Sequence, residues 1–244
     1  MPNSLPRILI GAPVRNRAWV LPYYLAALER LDYPKELLTF CFILNDSTDN
    51  SRELLFEFAK NHSTTIIERN QCAPEDREDR QERDRIYGPL AEVRNLLLSI
   101  AANLEIDYLF SVDSDIIVPP DILTRLLAHR KDIVAALIYN DYHFNAHENY
   151  PNRFPNIMIR REGLQSYRDY PLNSLFEVDV TGAVYLLSRK VIRKVRYGYH
   201  PQGEDIYFCQ EAKERGFSLW CDSSIFCQHI MTRDQLKEFK QKGD

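Results

Sequence analysis

The sequence predicts a single α/β domain in which a mostly parallel central sheet is flanked by helices. Three observations carry this. Strand-sized apolar runs at Ile8 to Ile10, Thr39 to Leu44 and Thr64 to Glu68 alternate with two segments whose apolar residues recur at helical spacing, a βαβαβ pattern with right-handed crossovers. The strand runs end in residues that leave a sheet, Gly11-Ala12-Pro13 and then Asn45-Asp46. The chain's 244 residues, 45% of them hydrophobic, suffice for one large domain with a full core.

Bulk composition narrows the function. A net charge of −4 argues against a surface that tracks nucleic-acid phosphates. The five cysteines, at 41, 72, 209, 221 and 227, form no disulfide framework, and no apolar leader follows Met1, so a cytoplasmic setting is expected. The apolar runs are strand-sized, well short of the ~20 residues of a membrane span. Any membrane contact would be peripheral, through the basic residues of the tail.

In chain order, RILIGAPVRNR is a buried strand that releases Pro13, Arg15 and Arg17 at its end, and WVLPYYLAALERL is the following helix. TFCFIL runs into NDSTDNS, which sets Asp46 just past a strand end, and ELLFEFAK is the second helix. The charged stretch Ala73 to Gly88 has Asp76/Arg80 and Asp79/Arg83 spaced for pairing on a solvated helix, or for an arginine that approaches a phosphate. Pro89 is expected to start LAEVRNLLLSIAAN, an amphipathic helix carrying Arg94 among apolar residues, where its planar fork would suit an anion.

LFSVDSDIIVPP, Leu109 to Pro120, then ends an apolar strand with Asp113 and Asp115. Alternation in an extended segment would turn both carboxylates to one side and Ser114 to the other. Oxygen ligands aimed at one place suit magnesium or manganese; the bland alternative is a solvated turn. A short helix, DILTRLLAHR, and a buried strand, DIVAALIY, follow. From Asn140 to Phe176 the periodicity fails apart from Asn156 to Arg160, and the Tyr- and Asn-rich composition reads as a lid or acceptor-binding insertion. EVDVTGAVYLLSRKVI is a strand broken at Thr181 and Gly182. Gly203, Glu204 and Asp205 open a helix whose inward stripe is Ile206, Cys209 and Ala212, capped at Gly216. His229 stands at the last strand signal, and residues 231–244 form a polar, solvated helical tail.

The segments APVRNR, FILNDSTDNS, LAEVRN, VDSDI, DVTGAV, GEDIYF and CQH fall in the order found in nucleotide-sugar glycosyltransferases of the GT-A fold. The chain resembles the large family two of these enzymes, and NDSTDNS to VDSDIIVPP also resembles the fungal Anp1 type of mannosyltransferase. The resemblance implies one GT-A domain with a nucleotide-binding half, 1–118, and an acceptor-binding half, 119–230. It places Pro13, Arg15 and Asp46 around the nucleotide base and Arg94 near the diphosphate. Asp113 would touch the ribose, or the metal through water, with Ser114 counted among the donor-binding residues. Asp115 would bind manganese or magnesium, with His229 as a further ligand. Thr181 and Gly182 would lie beside the donor sugar or acceptor. Asp205, paired with Glu204, would be the general base of an inverting transfer, from a UDP-sugar to a glycan, lipid-linked or protein acceptor.

The Anp1 resemblance implies instead a retaining enzyme and keeps GDP-mannose open as donor. Of other classes, a nucleotidyltransferase would need a Gly-rich phosphate loop that APVRNR lacks. A non-catalytic binding module would not need an acidic pair, and a zinc site at Cys221, Cys227 and His229 lacks a Cys-x-x-Cys knuckle. Without the Gln-x-x-Arg-Trp signature of processive synthases, a soluble enzyme adding one sugar is expected.

Overall fold

A computed structural model of the chain describes residues 5–69, 80–141, 153–161, 163–167 and 169–242. The elements run β1 (Ile8–Val14), α1 (Leu21–Glu29), β2 (Leu38–Asn45), α2 (Ser51–Ala59), β3 (Thr64–Arg69), α3 (Arg80–Asn103), β4 (Tyr108–Val112), β5 (Ile116–Ile117), α4 (Ile122–Ala128) and β6 (Ile133–Leu137). They continue with β7 (Tyr139–Asp141), β8 (Arg153–Pro155), β9 (Ile157–Arg161), β10 (Gly163–Ser166), β11 (Leu175–Val178), β12 (Val180–Thr181), β13 (Val184–Ser188), α5 (Arg189–Lys194), α6 (Glu204–Glu214), β14 (Leu219–Phe226), β15 (Gln228–His229) and α7 (Arg233–Lys242).

The main sheet has eight strands in the order β11-β14-β6-β13-β4-β1-β2-β3. β3, β2, β1 and β4 are mutually parallel, as the opening βαβαβ pattern predicts. β13 then runs antiparallel between β4 and β6, and β11 is antiparallel at the edge. β14 pairs parallel with β6, so the sheet is mostly parallel, as expected, with β13 and β11 the two reversed strands. Just before β13, Ala183 takes φ 68° and Val184 N–H donates to Gly182 O at 2.8 Å.

Both faces of this sheet are covered, which is why β6 and β13 are buried at every position and read as unbroken apolar runs. Alternate residues serve two cores. Ile8, Ile10, Phe42 and Phe110 pack with residues of α1, α2 and α4, while Leu9, Ile43, Leu109 and Leu187 pack with those of α3, α5 and α6. Gly11 lets α3 lie close on β1, since a Cβ there would stand 2.6 Å from Leu97 Cδ1.

Two expectations need correction here, and one cannot be compared. Pro89 lies inside α3 and does not start it; the packed face beyond it, Ala91, Val93, Leu97 and Leu98, offsets the one backbone bond a proline removes. The Asp76/Arg80 and Asp79/Arg83 pairs fall outside the described residues. The segment from Asn140 to Phe176, expected to hold one strand, contributes most of the antiparallel pair β7 and β8, strands β9 and β10 of the sheet β10-β9-β12, and the start of edge strand β11. Strands of two to five residues are too short to show alternation.

The tail is not simply solvated. Leu236 of α7 is 6% exposed, Phe239 packs edge-on to Tyr23 with ring centroids 6.3 Å apart, and Lys240 lies over the same tyrosine ring at 4.8 Å. If α7 is docked as described, Leu236→Ala should lower the unfolding free energy by about 2 kcal/mol, the lower end for a buried leucine. An unchanged urea midpoint would mean that the tail is free.

Candidate active site

The site forms where β1, β2 and β4 end on the carboxyl edge of the parallel half, the place where open α/β sheets bind ligands. Asp113 and Asp115 are both there, but not by strand alternation. Ile116 N–H donates to Asp113 O at 3.0 Å, so residues 113–116 form a turn. Three contacts pin it: Tyr24 Oη donates to Val112 O at 3.1 Å, Asp113 N–H to Ala183 O at 2.9 Å, and Ile230 N–H to Asp115 O at 2.9 Å. The turn sends the carboxylates to different partners, and Ser114 is buried.

Asp113 faces Arg94. Both its oxygens accept from Arg94 Nη2, at 3.0 and 3.1 Å, while Arg94 Nε donates to Glu204 Oε1 at 2.8 Å. The guanidinium, 4% exposed, thus joins α3, the end of β4 and the first turn of α6. Burial opposes its charge, but Asp113, Asp205 and Glu204 outweigh it and hold Arg94 protonated. The Asp113 carboxyl is pushed up by burial and by Asp115 and Glu204, against the pull of Arg94.

Asp205 lies beneath Gly182. A Cβ on that glycine would stand 2.3 Å from Asp205 Oδ2, so only glycine admits the carboxyl there. Tyr185 Oη donates to Asp205 Oδ1 at 3.3 Å and is itself hydrogen bonded to the Tyr197 hydroxyl. Asn95 clamps the Tyr197 backbone from both sides, at 2.9 and 2.8 Å. The position at the start of a helix would favour the anion, yet burial dominates and pushes the Asp205 carboxyl up to about 8; Arg94 opposes this, and Glu204 and Asp113 add to it.

Asp115 and His229 form the other half. Asp115 Oδ1 is 3.4 Å from His229 Nε2, and Oδ2 is 3.3 Å from Arg17 Nε. Burial pushes the Asp115 carboxyl up, but His229 and Arg17 together hold it below the usual carboxylate range. His229 Nδ1 faces Asn140 Oδ1 at 2.9 Å, so both ring nitrogens face oxygen acceptors. Such a ring carries two protons or shares a cation with the carboxylate. Neighbouring ligands each about 2.1 Å from one hard ion stand about 3 Å apart, close to the separation seen here.

A family model described as Anp1 matches residues 3–181. The chain belongs to the Anp1 family. Procollagen galactosyltransferase 2 of Homo sapiens is 27% identical over 145 residues, covering 56% of this chain and 23% of the relative. The inactive glycosyltransferase 25 family member 3 of Mus musculus is 24% identical over 216 residues, covering 81% and 35%. The matches thus span roughly a quarter to a third of these relatives' length. Among solved structures, the mannosyltransferase PcManGT from Pyrobaculum calidifontis in complex with GDP-Man and Mn2+ is similar at TM-score 0.59 and 15% identity, covering 95% of this chain and 59% of that one. GalNAc-T7 with UDP, GalNAc and Mn2+ is similar at TM-score 0.65 and 14% identity, covering 93% and 44%. The fold is that of the GT-A glycosyltransferases.

In this Anp1-family chain the predicted residues gather on one rim, with differences in detail. Pro13 is the penultimate residue of β1, beyond the last β1 residue that pairs with β4, and Arg15 follows the strand half-buried. Asp46 takes a left-handed φ of 46° at the end of β2, and its Oδ2 is buried without a hydrogen-bond partner. Asn45 Oδ1, Thr181 Oγ1 and Arg94 Nη1 are likewise buried and unpartnered, atoms that a polar ligand at the rim would complete, and Thr64 Oγ1, at the start of β3, is a further such atom away from the rim. Asp113, predicted to be close to the metal, is turned to Arg94, and among the described residues no three His, Cys, Asp or Glu side chains could hold an ion between them. Asp115 and His229 are the two that fit one, leaving other positions to be filled from outside the protein. His229 faces Asp115 and Asn140, so the zinc arrangement with Cys221 and Cys227 is not formed.

The roles of Arg17, Tyr185 and Asn140 escaped sequence reasoning. Arg17 was named at the end of the first strand but given no role, Tyr185 hid within the apolar run VYLLS, and Asn140 lay in the segment without periodicity. Asp205 also makes a prediction about stability. Its raised proton affinity means that the folded chain holds a proton which the unfolded chain releases, so stability falls as pH rises from about 4, the ordinary aspartate range, towards about 8. Asp205→Asn removes this penalty. Its melting temperature relative to wild type should climb between about pH 5 and pH 8; a pH-independent difference would contradict the buried-acid description.

Proposed function

We propose that this chain transfers a sugar from a nucleotide-diphosphate donor to an acceptor hydroxyl, with manganese or magnesium held by Asp115 and His229. One observation carries the reading. Within a GT-A frame, the Asp115–His229 pair and the Asp205 carboxyl stand on either side of one buried bridge, Asp113–Arg94–Glu204. Family membership does not decide activity, because a relative matched over 81% of this chain is named inactive. The three groups together support an active enzyme.

In its ionised form, Asp205 accepts the proton of the acceptor hydroxyl while that oxygen bonds to the anomeric carbon and the bond from that carbon to the donor phosphate breaks. A carboxyl with raised proton affinity suits this role, and Tyr185 orients it. A bound divalent cation would stabilise the charge that builds on the leaving phosphate. The unpartnered acceptors of Asn45 and Asp46 face the nucleotide base, beside Pro13 and Arg15. Asp113 and Ser114 border the ribose, Thr181 and Gly182 the transferred sugar or the acceptor, and the free Nη1 of Arg94 supplies a donor to the diphosphate.

A UDP-hexose is the first choice of donor, supported by relatives named galactosyltransferases and by a structural neighbour holding UDP. GDP-mannose is the second, supported by the neighbour holding GDP-Man. Relatives named for procollagen support a protein acceptor among the glycan, lipid-linked and protein classes. Inversion follows from Asp205 as base; the Anp1 match favours the competing retaining course.

Calorimetry with UDP and with GDP tests the donor site. One of them should bind at least about 10-fold more tightly with Mn2+ than with chelator, and Asp115→Ala should abolish the gain. Equal affinity in both conditions would remove the cation from the mechanism. Proton NMR of the first product should show the inverted anomer, and a retained anomer would transfer the assignment to the second course.

A further inference from the structure

Arg17 sits where the metal reading needs a free carboxylate. Its Nε lies 3.3 Å from Asp115 Oδ2, while the opposite oxygen faces His229. The backbone around it is stitched to the loop after β2. Asn16 N–H donates to Ser47 Oγ at 3.1 Å, Arg17 N–H to Ser51 Oγ at 2.9 Å, Ala18 N–H to Asp49 Oδ2 at 2.9 Å, and Thr48 N–H to Asn16 Oδ1 at 2.8 Å. Arg17 O also accepts from Val20 and Leu21 N–H, at 3.0 and 2.8 Å. The main chain is therefore held from several directions. Its side chain, 38% exposed, is the part that can swing.

We infer that Arg17 is the built-in counter-ion of Asp115, displaced when a divalent cation binds there, and that the displaced guanidinium then holds the donor's phosphates. The inference rests on the metal-dependent reading above. A guanidinium and a divalent ion on one carboxylate repel each other, and a contact at 3.3 Å through a single Nε, in a partly exposed pair, is weak enough to yield. Released from Asp115 but anchored by its backbone, the planar fork stays on the same rim, where a diphosphate offers it paired oxygens. Cation and nucleotide then assist each other. The cation frees Arg17 for the phosphates, and the phosphates draw Arg17 off the carboxylate that the cation needs.

The test is Mn2+ binding to the 244-residue chain, followed by the electron paramagnetic resonance signal of free Mn2+, with and without UDP or GDP. Arg17→Gln should bind Mn2+ alone about 10-fold more tightly than wild type, because a competing positive charge is gone. It should lose most of the mutual enhancement between Mn2+ and nucleotide. Arg17→Lys, which keeps the charge, should follow wild type for Mn2+ alone, and matched melting curves establish that both variants fold. Equal or weaker Mn2+ binding by Arg17→Gln, with wild type binding normally, overturns the counter-ion role alone. If wild type and both variants ignore Mn2+ with and without nucleotide, the metal reading falls and takes this inference with it.

Discussion

The buried guanidinium of Arg94 is the constraint on which the site depends. It comes from the middle of α3, yet its two occupied faces hold Asp113 at the end of β4 and Glu204 at the start of α6, segments 91 residues apart in sequence. Each of these acids would be costly to bury alone, and removing one partner from such a bridge typically costs about 3–5 kcal/mol. Asp205 follows Glu204 directly, so the bridge also sets where the proposed base can stand. Gly182 and Tyr185 then complete its position. A buried ion network adds little net stability over an apolar core, but here it fixes which three elements meet.

The rim is built with more acid than base. Asp113, Asp115, Glu204 and Asp205 converge on Arg94 and Arg17, and His229 faces a carboxylate and an amide oxygen. The imbalance is met in two ways: Asp205 takes a proton, and Asp115 draws Arg17 and His229 towards it. Both devices leave a group ready to change partner when substrate arrives. The unpartnered atoms of Asn45, Asp46, Thr181 and Arg94 point the same way, since burying polar groups with nothing to bind is costly unless a ligand supplies the missing bonds.

The parallel half of the fold was legible in the sequence because each of its central strands is covered on both faces and is long enough to show as an apolar run. The positions of Asp46, Asp113, Asp115 and Asp205 followed from strand and helix ends, where turn residues and glycine mark the boundary. Their conformations did not. Alternation treated Asp113 to Asp115 as extended, whereas the local bond from Ile116 closes a turn, and the bonds that pin it, from Asp113 to Ala183 and from Ile230 to Asp115, depend on residues brought from far away. The small sheets between Tyr139 and Thr181 were hidden for a different reason: their strands, two to five residues long, are too short to show a period. Arg17 was named at a strand end but given no role, because what makes it notable is a contact with Asp115, 98 positions on.

A double-mutant cycle between Arg94 and Glu204, read by urea unfolding, tests the bridge most directly. Arg94→Met should be severely destabilising, because it leaves Asp113 and Glu204 buried without a counter-charge. Adding Glu204→Gln to it should recover part of that loss, giving a coupling of at least about 1.5 kcal/mol between the two sites. Losses that add within about 0.5 kcal/mol would show that the two side chains do not sense each other, and would contradict the account of how α3, β4 and α6 are brought to one rim.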